Sequence, residues 1–380
     1  MASSGQQPTR AWVEAYFRLA PVTVPLYAIL VAVALGGLVI LGAGGNPAEA
    51  YRALVVGAVG TPEAVAQSLA RSTPYVIASL AVVFGFKAGL FNIGAEGQLV
   101  VGALTAAWVG TISWVHDLPG VVAVPVVLLA GAAGGFAYGG LPGVLKARTG
   151  AHEVIVTIML NAIALRMTEY LVTSRDPVIL LDTSSSVAHT RSIGANARLP
   201  ELVDGSGLHL GLLVALALCG LVWFVLERTT LGFEIRTVGL NPDAAHYAGM
   251  SVTKIVVVVM ALSGALAGLA GAGEVSGGVN PYFTPGGFAN IGFDSIAIAL
   301  LARANPFAVA GAALLWGSLL SGAPLMQLRA DLSIDLVRIV QALIILFVAA
   351  DAIVRFLFRI RAARSGDPAG AAVFAKGWGS

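Results

Sequence analysis

Lys87, Asn92, Glu96 and Gln98 are the side chains best equipped for chemistry in this chain. They stand inside Phe84-Gly-Phe-Lys-Ala-Gly-Leu-Phe-Asn-Ile-Gly-Ala-Glu-Gly-Gln-Leu99, between two apolar segments each long enough to enter a bilayer. Gly85, Gly89, Gly94 and Gly97 flank them. Lipid offers no hydrogen bonds to a carboxylate, an amide or bare backbone, so polar sequence broken by glycine survives at membrane depth only against protein or a wet cavity. The chemistry within reach is hydrogen bonding to a polar solute. Two readings stand: Asn92, Glu96 and Gln98 line a solute pathway, or Glu96 and Lys87 satisfy each other as glue inside a bundle.

Two further constellations carry polar groups. In Thr149-Gly-Ala-His-Glu-Val-Ile-Val-Thr-Ile-Met-Leu-Asn161, the pair His152-Glu153 opens an apolar segment and Asn161 follows about two turns deeper. The pair is no metalloprotease motif, because Val156 occupies the position of the second histidine. His152 reads as an interfacial residue, Glu153 as a partner for the helix dipole, and Asn161 faces either a neighbouring helix or a cavity. Residues 231–250 hold Asn241, a good N-cap; Pro242, suited to the first helical position; and Asp243, which complements the dipole. Gly249 can close that helix in a left-handed cap. A two-turn helix follows, with Ala244, Ala245 and Ala248 as a smooth face. It is either an ordinary capped loop helix or a docking element for a cytoplasmic partner. A phosphate-binding G-x-x-x-x-G-K-[ST] loop, a G-x-S-x-G elbow and a paired-histidine metal motif are all missing from the sequence. Neither ATP binding of the usual kind nor any cofactor is expected, and no nucleophile–base pair suggests an enzyme.

The elements that must position these groups are membrane helices. Of 380 residues, 57% are hydrophobic and 11% charged, against about 25% charged in a soluble domain. Apolar segments fall near 21–41, 73–90, 95–114, 121–145, 151–173, 208–227, 253–273, 288–303, 306–323 and 333–357. They predict an all-α polytopic protein of roughly ten spans. Residues 1–20 read as an amphipathic cytoplasmic lead-in, 21–360 as one transmembrane domain, and 361–380 as a disordered cytoplasmic tail. The net charge of +2 points to no nucleic acid polymer. Basic residues at Lys146, Arg148, Arg228, Arg236, Lys254 and Arg303 mark alternate loops as cytoplasmic, with both termini inside. Cys219, the single cysteine, reads as a small buried hydrophobe. Gly131, Gly135, Gly139 and Gly143, with Gly264 and Gly268, predict close helix packing. Breaks at 89–97 and 286–294 hint at inverted repeats with interrupted helices, a transporter architecture.

Together these residues resemble the permease subunits of bacterial ABC importers in the branched-chain amino acid and ribose permease superfamily. Gly89-Leu-Phe-Asn-Ile-Gly-Ala-Glu-Gly-Gln98 is most similar to the nucleoside branch, linked to basic membrane lipoproteins, and Gly150–Asn161 resembles that branch's next motif. Leu231-Gly through Asn241-Pro-Asp-Ala-Ala and Gly249-Met resembles the superfamily's coupling segment, here 229–252. The resemblance implies a type II-like importer in the bacterial plasma membrane, translocating nucleosides inward. Phe91, Asn92, Glu96, Gln98 and Asn161 would line its path, Phe91 either stacking on a base or packing in the core. Arg236, Asn241, Pro242, Asp243, Ala244, Ala245, His246 and Gly249 would couple to a cytoplasmic ATPase, with His246 where the superfamily often has a basic residue. A second, paralogous permease and an extracytoplasmic substrate-binding lipoprotein are the other partners implied. The same machine carrying a sugar or a branched-chain amino acid is the nearest alternative, and an ion-coupled secondary transporter is one of another class.

Overall fold

The computed structural model describes residues 30–349. The lead-in over 1–20, the start of the first apolar run, the end of the tenth and the tail over 361–380 lie outside them. The described chain is built almost wholly of helices: α1 (Leu30–Gly42), α2 (Pro47–Val59), α3 (Pro62–Lys87), α4 (Ala95–Gly110), α5 (Ser113–His116), α6 (Gly120–Thr149), α7 (Glu153–Thr173), α8 (Gly211–Arg228), α9 (Thr230–Leu240), α10 (Pro242–Tyr247), α11 (Val252–Gly277), α12 (Ile291–Leu301), α13 (Pro306–Ala330) and α14 (Ile334–Ala349). A small antiparallel ribbon, β1 (Glu201–Val203) with β2 (Leu208–His209), pairs Glu201 with His209 in the long loop after α7.

Six described helices are long and apolar enough to cross a membrane: α3, α6, α7, α8, α11 and α13. The pair α1–α2, bent by 119°, makes a seventh if counted as one span. The ten apolar segments therefore exceed the number of spanning helices. The third and eighth segments form α4, 16 residues, and α12, 11 residues. At 1.5 Å per residue these reach about 24 Å and 16 Å, short of a hydrocarbon core about 30 Å thick. Hydropathy reads composition, and a helix that starts part-way through the layer is as apolar as one that crosses it.

The larger unit, residues 58–321, is organised around α11, which packs most extensively on α6, then α4 and α3. The buried stripe of α6 carries Gly131, Gly135, Gly139 and Gly143 one turn apart. A Cβ at Gly135 would lie on the Gly264 carbonyl oxygen, so backbone meets backbone with no side chain between. Cys219 lies on the buried stripe of α8 with Ala215 and Val222. In contrast to α3, whose apolar span is 78% buried, only 22% of the spans of α6 and α7 is covered. Their outer faces present Leu129, Phe136, Ile155 and Met159, a surface that lipid rather than water solvates.

The smaller unit holds, among the described residues, 30–57 and 322–349. Its chain reverses at Gly44, whose φ of +83° suits glycine, and Asn46 caps α2 by accepting from the Ala48 amide at 3.0 Å. Tyr51 ties α2 back to α1 through a 2.8 Å bond to the Val33 carbonyl.

Candidate functional site

The first break is made by local backbone chemistry. Helix α3 ends in a Schellman motif: Gly89 adopts φ +69°, the Leu90 amide bonds the Gly85 carbonyl at 2.9 Å, and the Gly89 amide bonds that of Phe86 at 3.1 Å. The chain then turns through residues 90–94 and restarts as α4. That restart creates a problem, because the first amides of a helix have no partners within it and the start of α4 is buried.

Side chains from other helices solve it. Asn161 of α7 accepts from the Gly97 amide at 2.9 Å and donates to the Ile93 carbonyl at 2.9 Å. Asn92 and Gln98 exchange amide hydrogen bonds at 2.9 and 3.2 Å, and Asn92 also donates to Ser263 of α11 at 2.8 Å. Ser263 in turn donates to the Ala81 carbonyl of α3 at 2.7 Å. The carboxylate of Glu96 reaches the second break. Its two oxygens accept from the amides of Asn290 and Gly292 at 2.7 and 2.8 Å. Asn290, the N-cap residue of α12, has φ 72° and makes no side-chain cap bond of its own. Glu96 thus caps α12 from another helix, where a negative charge also complements the dipole. A Cβ at Gly292 would overlap the Glu96 backbone amide, so the two helix starts abut directly.

Asn92, Glu96, Gln98 and Asn161 are all at most 4% exposed. The structure therefore brings these four into one buried joint linking α3, α4, α7, α11 and α12, with its hydrogen bonds made inside the protein. Glu96 bonds to the second break, not to Lys87. Phe91 stands at the edge, half-buried, its ring 5.3 Å from that of Phe86. Glu153 closes a 2.5 Å ion pair with Lys146, tying the end of α6 to the start of α7.

The segment 229–252 folds as two helices. Thr229 caps α9, accepting from the Gly232 amide at 3.1 Å, and Arg236 pairs with Glu227. Asn241 caps α10 by accepting from Asp243 and Ala244 at 3.0 and 3.1 Å. Gly249 at φ +82° closes it, the Met250 amide bonding the Ala245 carbonyl at 3.0 Å. Only Ala245 of the alanine face is buried; Ala244, His246 and Ala248 are exposed, as is Tyr247 at 91%. Helix α9 also touches the first break. A Cβ at Gly239 would fall on the Lys87 carbonyl oxygen, and Gly89 faces Gly239 in return.

Sequence reasoning passed over Ser263, Asn290, Gly292 and Gly239. The break at 286–294 was the available signal for Asn290 and Gly292. Ser263 is an isolated residue within an apolar segment and Gly239 one glycine of the segment 229–252, and nothing local marks either.

Known proteins bear on this geometry. A family profile described as the permease component of the branched-chain amino acid transport system matches residues 64–349. The guanosine ABC transporter permease protein NupP of Bacillus subtilis is 43% identical over 342 residues, 90% of this chain and 96% of that protein. The nucleoside ABC transporter permease protein NupB of Lactococcus lactis is 35% identical, covering 88% of this chain and 93% of its own. The glucose ABC transporter permease protein TsgB13 of Haloferax volcanii is 34% identical, over 85% and 86%. No solved structure matches the chain.

Proposed function

The chain belongs to the family of permease components of branched-chain amino acid transport systems, and within it we propose that this is the membrane-spanning permease of an ABC importer that carries nucleosides inward. The observation that carries the reading is the 43% identity, across 90% of the chain, to a guanosine ABC permease. A permease component hydrolyses no ATP and needs no cofactor. Hydrolysis falls to a separate cytoplasmic ATPase, and a second, paralogous permease and a substrate-binding lipoprotein complete the assembly.

In this reading α9 and α10 face the ATPase, with Arg236, Asn241, Pro242, Asp243, Ala244, Ala245, His246 and Gly249 as the coupling segment and both termini cytoplasmic. The backbone contact between Gly239 and the Lys87–Gly89 turn supports a direct route from that segment to the first break. Asn92, Glu96, Gln98 and Asn161 form the joint that rearranges as the path opens, with Phe91 at its rim. Helices α3–α4 and α11–α12 act as inverted halves, each a long helix, a break and a shorter helix capped by its neighbours. Ten passages of the bilayer follow if α4, α12 and α14 each count as a crossing together with the apolar run that ends in α1. The assembly sits in a plasma membrane of bacterial type, with residues 1–20 and 361–380 on its cytoplasmic side.

Uptake of labelled guanosine by cells expressing the whole assembly tests the proposal. Uptake should stop when the ATPase is inactivated and when Asp243→Lys reverses the charge at the start of α10, with membrane levels unchanged. Uptake that survives ATPase inactivation but collapses with an ionophore would instead establish an ion-coupled secondary transporter. The glucose permease relative favours a sugar as the second reading, and glucose accumulation without guanosine accumulation would establish it.

A further inference from the structure

Helix α11 carries four buried glycines, Gly264, Gly268, Gly271 and Gly273. At the first three, an added Cβ would fall on the carbonyl oxygen of Gly135, Gly131 or Leu99, so close backbone approach explains them. Gly273 differs, because a Cβ there would meet nothing within 4 Å. A glycine inside a helix is less favourable than alanine, and no neighbour requires this one. The space beside it is a cavity of about 10 Å³, room for about one water molecule. Thr73 and Pro74 of α3, Leu128 of α6, His209 of β2, and Gly273 and Glu274 of α11 line it.

The walls that face α3 are fixed. Backbone contacts at Gly264, Gly268 and Gly271 lock α11 to α6 and α4. The His209 imidazole is wedged between glycines: its Nδ1 accepts from the Gly211 amide at 3.1 Å, and its Nε2 stands where a Cβ at Gly277 would lie. The α3 wall, in contrast, is built to bend. Pro74 stands inside the helix and has no N–H to give the Ala70 carbonyl, which leaves one rung of the ladder open. Just before it, the Ser72 and Thr73 hydroxyls both donate to the Leu69 carbonyl, at 2.8 and 3.0 Å, a back-bonding that bends helices. Helix α13 is seated on the same half of α3, since a Cβ at Gly317 would fall on the Ser68 carbonyl oxygen and the Ser72 amide. That contact makes α13 ride with this half of α3.

We propose that the cavity is clearance for a hinge at Pro74: residues 62–73 of α3, with α13, swing into it as the path opens at the end remote from α9 and α10. The 18 residues of α8 separate Gly211 at the cavity from α9, about 27 Å along a helix. The inference rests on the importer reading above and adds the element that moves at the far end. A close-packed interior leaves no room for such a swing. A void beside a proline break, with the opposite walls locked, supplies it. A methyl group on Gly273 would take up that clearance while touching nothing in the present arrangement.

Transport and conformation are read on the same variants of the complete assembly. Gly273→Ala should melt no lower than wild type, yet its guanosine uptake should fall about 5-fold or more. Pro74→Ala, which restores the missing rung, should behave alike. A mere packing gap predicts otherwise, since filling it would stabilise the protein and leave uptake undiminished. In a Cys219→Ser background, nitroxides at Val65→Cys on α3 and Leu213→Cys on α8 report the swing, both positions being exposed. Their separation should shift between the nucleotide-free and ATP-bound assemblies, and Gly273→Ala should abolish the shift. Wild-type uptake by assembled Gly273→Ala, or a fixed separation in the protein with Gly273 intact, would overturn the hinge. Should Gly273→Ala not assemble, wild-type uptake by Pro74→Ala would overturn it equally. Wild-type uptake that ignores ATPase inactivation would overturn the importer reading alone, because the two alanine variants read the hinge whatever drives transport.

Discussion

Replacing Glu96 by Gln is the sharpest test of the joint. The side chain keeps its length, but one carboxylate oxygen becomes an NH2 group that cannot accept. In the native protein the two oxygens hold the Asn290 and Gly292 amides at 2.7 and 2.8 Å. One of those bonds is lost, leaving an amide unsatisfied, and the other changes from charge-assisted to neutral. A hydrogen bond to a charged group is worth about 1.5–3 kcal/mol, and leaving a buried donor unpaired costs about 1–3 kcal/mol. Loss of the negative charge at the α12 start adds about 0.5 kcal/mol or more. With partial relaxation of the glutamine, a net cost of about 3 kcal/mol follows.

Hydrogen exchange reads that number where it arises. About 3 kcal/mol corresponds to roughly a 100-fold loss of protection, and it should concentrate at the first-turn amides of α12, with thermal stability in detergent lowered as well. Glu63→Gln, at the exposed start of α3, is the control and should stay within about 0.5 kcal/mol. Unchanged exchange at Asn290 and Gly292 would refute the reasoning, because it would mean that something other than Glu96 holds the start of α12.

Other perturbations probe the remaining contacts. Gly135→Ala sets a methyl on the Gly264 carbonyl and should cost about 1–3 kcal/mol, seen as a lower melting temperature. Gly140→Ala, whose Cβ would meet only Ala261 at 3.8 Å, should be close to neutral. Gly239→Ala pushes α9 away from the Lys87 carbonyl; uptake should drop severalfold while the amount of assembled complex is unchanged. Burial of His209 beside β1 holds its imidazole below the ordinary value of 6.5, with the Glu201 carboxylate opposing the effect and Glu274 lining the same small cavity. Because the unfolded chain then takes up the proton first, stability falls as pH drops below about 6.5. Limited proteolysis of the 200–210 loop should accelerate from pH 7.5 to pH 5.5, and His209→Asn should remove that dependence.

Local chemistry was legible in the sequence wherever one residue type decides the backbone. Gly89 and Gly249 end their helices in the left-handed region, Asn241 and Pro242 start α10, and the glycine stripe of α6 meets α11. Partnerships across the chain were not legible. Glu96 bonds amides 194 and 196 residues away, and no spacing rule points from one to the other; Lys87, nine residues off, was the nearer charge. The count of ten segments also went beyond the helices of spanning length, because α4 and α12 are apolar but only 16 and 11 residues long.

The two kinds of contact in the larger unit predict where it can move. Between α6 and α11, backbone lies on backbone, and separating such surfaces forfeits dispersion contacts with nothing to replace them. At the joint, single side chains hold helix starts through hydrogen bonds that another protein group, a water or a solute could take over. Helix α4 shares the backbone seam, since a Cβ at Gly102 would fall on the Gly268 Cα and one at Gly271 on the Leu99 carbonyl oxygen; alternation of access should therefore run through α12 while α4, α6 and α11 travel as one body. A disulfide between Gly140→Cys and Ala261→Cys tests this, since the Cβ separation of 3.8 Å suits the bond without backbone movement. Cys219, the sole native cysteine, would first be changed to Ser to keep the pairing unambiguous. Uptake should persist in the oxidised protein at the level of the reduced one. Loss of uptake on oxidation, restored by reductant, would mean that α6 and α11 slide past each other and that the backbone seam, not the polar joint, is the moving surface.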